Sequence, residues 1–148
     1  MDGTLTVPAH DFALARRTLK IEPHEDILGA LAKRSIEEQR DAAQWLDAWE
    51  LEIAKGAVAQ QDALNLLAAL AQRGCTLGVV TRNTRPNAMV TLAAAGLSTW
   101  FRDDDILGRE SAPPKPKPDA LQVLLRKWGA SPEHSVMVGD YIHDVQAG

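Results

Sequence analysis

Met1-Asp2-Gly3-Thr4-Leu5-Thr6, the first six residues, is a turn-forming run whose setting decides how the rest of the chain is read. Glycine tolerates positive φ, threonine can hydrogen-bond a sharp turn and aspartate can face a ligand, so Asp-Gly-Thr suits the exit of a buried strand. Taken alone it is equally a plain N-terminal turn. The later segments of the chain decide between the two.

The bulk properties set the frame. At 148 residues the chain is about one domain, large enough to bury roughly two-thirds of the surface its unfolded form exposes. Its 45% hydrophobic and 24% charged content places it among globular proteins rather than disordered ones. No apolar run approaches the ~18 residues a membrane helix needs. No basic segment followed by an apolar stretch resembles a secretory signal, so a cytoplasmic protein is expected. The net charge of -4 argues against a nucleic-acid surface, which requires a clustered excess of Lys and Arg. A small anionic ligand in a locally basic pocket stays open. Cys75, the single cysteine, excludes an internal disulfide and a multi-cysteine metal site, and is expected as a small buried apolar side chain.

From Pro8 to Lys55 the pattern is helical, punctuated by Pro23 and Gly29. Phe12, Ala15 and Leu19 recur at helical spacing. Ala42, Leu46, Trp49 and Ile53 predict one apolar stripe packed on neighbouring helices. Trp45 and Trp49 read as core or interface residues rather than ligand platforms. Beyond Gly56 the pattern changes. Leu64, Leu67 and Ala71 predict a helix stopped by Gly74, and Cys75 to Val80 an apolar strand ending at Thr81-Arg82-Asn83-Thr84. A helix over Pro86 to Ala95 closes with Gly96, and a short strand lies near Asp105 to Leu107. Ser111 to Pro118 cannot be regular structure, because its prolines lack donors and restrict their predecessors. Pro118 suits the first position of a helix running to Trp128 and Gly129. Ser135 to Val138 predicts a short strand that delivers Gly139-Asp140-Tyr141-Ile142-His143-Asp144.

Helices alternating with strands imply an α/β fold, with right-handed crossovers and a parallel sheet covered on both faces. Ligands of such sheets gather at the carboxyl ends of the strands. Thr81 and Asp140 then share one rim, and Asp2 joins them if a strand precedes it.

Four segments in order carry a resemblance. Asp2-Gly3-Thr4-Leu5-Thr6, the strand ending in Thr81, Lys115-Pro116-Lys117-Pro118-Asp119, and Gly139-Asp140 with Asp144 resemble the motifs of the haloacid dehalogenase superfamily of phosphatases. The resemblance runs from Met1 to Gly148. It implies a Rossmann-like core, residues 1–7 and 56–148, with a small all-helical cap, residues 8–55, similar to that of phosphoglycolate-phosphatase-like members. It also implies a central strand whose nucleophilic aspartate stands one position before Met1, and a last strand after the final helix. Neither lies within these residues. The sequence is therefore expected to be a piece of a longer protein, to which the activity belongs more firmly than to the piece.

The residue chemistry can be read beside that resemblance. Asp140 and Asp144 present hard oxygens suited to Mg²⁺, with N-capping and helix-dipole stabilisation as the alternative reading. Lys115, in a proline-stiffened segment, can neutralise both a phosphoryl group and a carboxylate. Thr81 offers a hydroxyl and a backbone N–H, Asn83 an amide donor, and Arg82 a cation, although a strand-end threonine and a surface arginine are common in any fold. Lys117 is expected to face solvent. His143 fills a variable place in its motif, and His10, His24 and His134 show no metal-ligand spacing.

The resemblance implies that Asp2 acts as general acid and then base, with Thr81 and Lys115 as further catalytic residues. Gly3, Thr81, Arg82, Asn83 and Lys115 would contact phosphate. Asp2, through its backbone carbonyl, would join Asp140 and Asp144 in holding Mg²⁺. The implied reaction is hydrolysis of a small phosphorylated metabolite through an aspartyl-phosphate. Dehalogenases of the superfamily usually lack the acid/base aspartate, so Asp2 favours phosphoryl chemistry. Two alternatives stand beside this reading: a phosphomutase of the same family, and a non-catalytic phospholigand- or protein-binding module. Residue patterns name neither the substrate nor the oligomeric state, for which Trp45, Trp49 and Trp100 are interface candidates.

Overall fold

Each helix of the N-terminal third is started by its own short polar side chain. Asp11 accepts the Leu14 N–H at 2.9 Å and caps α1 (Phe12–Leu19), which Lys20 ends in the left-handed region at φ 53°. Asp26 caps α2 (Ile27–Leu31) through the Gly29 N–H. Ser35 and Glu38 form a reciprocal capping box on α3 (Ile36–Lys55). The computed structural model describes residues 1–148, and in it these three helices share a hydrophobic cluster of their own, with Leu19, Ile27, Leu31 and Leu46 at its centre.

The stripe on α3 departs from expectation in its second half. Ala42, Leu46, Glu50 and Ala54 are buried, whereas Trp49 and Ile53 are only partly so. Arg109 meets Glu50 there, so the buried face runs through an ion pair one position on from Trp49.

The remainder builds a small α/β layer. α4 (Gln61–Gln72) stops before Gly74, and β1 (Val79–Val80) leads into α5 (Arg85–Ala94), capped by Thr84. β2 (Ile106–Leu107) pairs with β1 in parallel, Val79 opposite Ile106 and Val80 opposite Leu107. α6 (Asp119–Trp128) begins one residue later than expected, with Pro118 at the N-cap, and α7 (Ile142–Ala147) ends the chain. Successive strand residues point to opposite faces. Val79 accordingly joins Leu92, Leu97 and Ile106 on one side, and Val80 joins Ala120 and Leu124 of α6 on the other. No helix is long and apolar enough to cross a membrane.

Two expected strands are shorter or absent. Only Val79–Val80 of the Cys75–Val80 run enters a ladder. Residues 136–140 make no backbone–backbone hydrogen bond, and Val136 is 87% exposed. A strand exists only where a neighbour completes its ladder, and within residues 1–148 β1 pairs with β2 alone. Cys75 is exposed, not buried, because it follows the Gly74 turn ahead of the paired residues.

Asp105, 1% exposed, ties β2 to α6. It accepts the Trp128 Nε1–H at 2.9 Å and pairs with Lys127 at 2.7 Å. Burial pushes its carboxyl up, but the Lys127 and Trp128 hydrogen bonds outweigh that and hold it below the ordinary carboxylate value. A carboxylate depressed in the fold stabilises above its ordinary pKa of about 4, and the contribution is lost as pH falls through the lower folded value. Asp105→Asn should therefore cost stability at about pH 7 and progressively less below about pH 4. Urea midpoints across that range test this, and a deficit independent of pH would contradict it.

Candidate active site

β1 and the loop after it set the rim. Thr81 extends the ladder by one bond, its N–H donating to Leu107 O at 3.0 Å. That corrects the expectation that Thr81 offers both donors to a ligand, since only the hydroxyl proton is free. The hydroxyl oxygen accepts the Asn83 N–H at 3.1 Å, and Asn83 Oδ1 accepts the Thr84 N–H at 2.8 Å. The local turn thus engages the oxygen of the Asn83 amide and leaves its NH₂ as the remaining donor of a buried side chain.

Lys115 reaches the same rim from the proline-rich segment. It is 6% exposed, donates to Val80 O at 2.9 Å and pairs with Asp144 Oδ1. Asp144 is also an N-terminal cap, accepting the Tyr141 N–H at 3.1 Å through Oδ2. Burial raises its carboxyl, but the Lys115 hydrogen bond and charge, with the Tyr141 amide, hold it below the ordinary range. Gly139 lies flush against it, and a Cβ there would overlap the Asp144 carboxyl.

The opening turn closes on the same place. Met1 O accepts the N–H groups of Thr4, Leu5 and Thr6 at 3.2, 2.8 and 3.1 Å. Gly3 stands at φ 79°, and any Cβ on it would overlap the Asp140 carboxylate. Thr4 Oγ1 donates to Asp140 Oδ1 at 2.5 Å, so the first and last motifs touch. Asp140 and Asp144 stand four residues apart, so the Thr4 and Lys115 contacts draw the opening turn and the proline-rich segment onto the same last motif. Three separate segments therefore converge on one point.

Asp2 faces the helical region. Oδ2 meets His10 Nδ1 at 2.7 Å, and Oδ1 accepts the Ala9 N–H at 3.2 Å. Burial pushes the carboxyl up, yet the His10 bond and charge and the Ala9 amide together hold it below its ordinary value. His10 is itself fixed by aromatic packing, stacked on Phe12 at 5.4 Å and edge-on to Trp49 at 5.3 Å. No spacing signal in the sequence marked His10, which lies eight residues from Asp2.

Other sequence-derived positions fall differently. Arg82 turns toward the helical region, pairing with Asp26 at the N-cap of α2 and contacting His143, and so is engaged by protein groups where a substrate anion was expected. Lys117 is exposed, as the sequence implied. No three His, Cys, Asp or Glu side chains stand close enough to enclose an ion; the Asp2 carboxylate meets His10 and that of Asp144 meets Lys115. Mg²⁺ is commonly held by one or two carboxylates, with waters and substrate oxygens completing the shell. The oxygen-only pair Asp140 and Asp144 fits that need in donor chemistry.

Comparison with known proteins identifies relatives of the chain. The chain is 36% identical over 89 residues to pyrophosphatase PpaX of Bacillus pumilus, a match covering 57% of this chain and 39% of that protein. It is 29% identical over 152 residues to the phosphoglycolate phosphatase of Escherichia coli, covering 99% of this chain and 56% of the relative. The chain thus spans about half the length of these relatives or less. A solved hydrolase from Pseudomonas syringae shares the α/β fold with a TM-score of 0.77 at 21% identity, over 99% of this chain and 75% of that one. A family model described as haloacid dehalogenase-like hydrolase matches residues 1–148, and the chain belongs to that family.

Proposed function

We propose that the chain carries the catalytic rim of a Mg²⁺-dependent phosphatase that hydrolyses a small phosphomonoester through an aspartyl-phosphate. The Thr4–Asp140 hydrogen bond and the Lys115–Asp144 ion pair, which join the opening turn, the proline-rich segment and the last motif, carry this reading. A phosphate seated there meets the Lys115 ammonium, the Thr81 hydroxyl and the Asn83 amide, donors aimed where charge builds during transfer. Mg²⁺ held by Asp140 and Asp144 would add positive charge against the phosphate oxygens. The nucleophilic aspartate that the family resemblance places one position before Met1 lies outside these residues. Its carboxylate oxygen bonds to phosphorus as the bond to the leaving alkoxide breaks. Asp2 gives that alkoxide a proton, then takes one from the water that cleaves the aspartyl-phosphate. The His10 contact favours ionised Asp2, the form needed for the second half. The names of the relatives support phosphoryl hydrolysis.

Phosphate release from a panel of phosphomonoesters, with phosphoglycolate and pyrophosphate included, tests the proposal. The assay compares the 148-residue chain with an N-terminally extended form, each with Mg²⁺ and with a chelator. Release by the extended form, abolished by the chelator, is expected. No release from the extended form, or undiminished release with chelator, would reject the reading. Release by the shorter chain alone would reject the need for the upstream nucleophile.

A further inference from the structure

Arg109 lies outside the four motifs, yet it holds the rim loop and the helical region in one grip. Its N–H donates to Asn83 O at 2.9 Å, and its Nη1 donates to Arg82 O at 3.2 Å. The same Nη1 reaches Glu50 Oε1 and Oε2 at 2.9 and 3.0 Å, while Nη2 pairs with Asp47. Both carboxylates belong to α3. The contact is enclosed: the Arg109 side chain is 14% exposed and that of Glu50 is 9% exposed. A second tie runs parallel to the first, since Asn87 Nδ2 of α5 donates to Asp47 O at 3.1 Å.

An ion pair serving only to join two bodies has no need of the backbone carbonyls of residues 82 and 83. Those carbonyls belong to the turn that aims the Thr81 hydroxyl and the Asn83 amide. A guanidinium is a rigid planar group, so moving the carboxylates of α3 that it binds also moves the Arg82 carbonyl held by the same Nη1, beside the Asn83 carbonyl held by the Arg109 backbone N–H, a linkage that a flexible ammonium transmits poorly. We propose that Arg109 is a positioning residue that sets the phosphate-binding geometry of the Thr81–Asn83 turn according to where α3 sits. This rests on the phosphatase reading for its consequence, but the coupling itself is a property of the fold.

The test uses Arg109→Lys and Asp47→Ala, with inorganic phosphate and Mg²⁺ as the probe. Asp47 is 49% exposed at its side chain, so its truncation leaves the fold intact if Arg109→Lys proves too disruptive. Both variants should weaken phosphate binding by roughly tenfold, a typical coupling between linked sites, with Lys failing to rescue despite its charge. Both should also shift the Arg82 and Asn83 amide resonances, although the Asp47 side chain touches neither residue. Where turnover is measurable, KM should rise more than kcat falls. Phosphate affinity within twofold of the unsubstituted chain, with those amides unmoved, would overturn the proposal. Failure of the unsubstituted chain to bind phosphate would strike the phosphatase reading, and the amide shifts alone would then decide the coupling, upheld if they move and overturned if they do not.

Discussion

Lys115→Met should cost about 3–5 kcal/mol of folding stability, the usual penalty for removing one partner of a buried ion pair. The magnitude follows from what is left behind. Asp144 is 6% exposed and would keep its charge with only the Tyr141 amide to stabilise it, while Val80 O would lose its Lys115 donor. Methionine preserves most of the volume, so the loss would reflect charge and hydrogen bonding rather than a cavity. Urea denaturation at neutral pH reads the effect, and a loss under about 1 kcal/mol would show that water already satisfies Asp144. Adding Asp144→Leu should recover much of the stability, because no buried charge then stands unpaired. In the extended form, phosphate release by Lys115→Met should fall by roughly 10²–10³, the range for loss of a preorganised electrostatic donor. The double variant, though restabilised, should stay inactive.

Gly3→Ala should damage activity severely for a single added methyl. At φ 79° a residue with a Cβ is strained by about 1–2 kcal/mol. The same methyl would enter the space of the Asp140 carboxylate, which cannot retreat without giving up the Thr4 hydroxyl. Displacing a catalytic group by about 1 Å commonly costs about 10² in rate. We therefore expect modest destabilisation, weaker Mg²⁺ dependence and a rate loss of about that size. Gly96→Ala is the control. It has a similar φ of 69° but nothing within 4 Å of the added Cβ, so it should show the strain without the loss of rate. Equal rate losses in the two variants would mean that backbone strain, not contact with Asp140, governs the site.

What could be read in the sequence sorts by the range of the interaction. Gly74, Gly96 and Gly129 marked helix ends correctly, because a positive φ after a helix is a local requirement met within one turn. Lys115 and Asp144 were legible through proline stiffening and helix-start position, and the fold brings them together. Ser135 to Val138 has strand composition but no ladder, since pairing depends on a neighbour that no local pattern can supply. The buried place of Glu50 was not legible, because its partner Arg109 lies 59 positions away. His10 was invisible for a related reason. It contacts Asp2 through the path of the loop between them and its packing on Phe12 and Trp49, not through any repeat.

The unpaired stretch at residues 136–140 bears on how the chain behaves at high concentration. Val136 and Val138 are 87% and 55% exposed, and the backbone between them offers free donors and acceptors. Sheet edges with apolar, uncharged side chains are templates for intermolecular pairing. Gly139 and the charged Asp140 terminate the stretch, and Pro132 precedes it, so the sticky segment is held to a few residues, flanked by the kind of gatekeepers that limit self-association. The residues that bring Asp140 to the rim thus also present a short unpaired apolar edge.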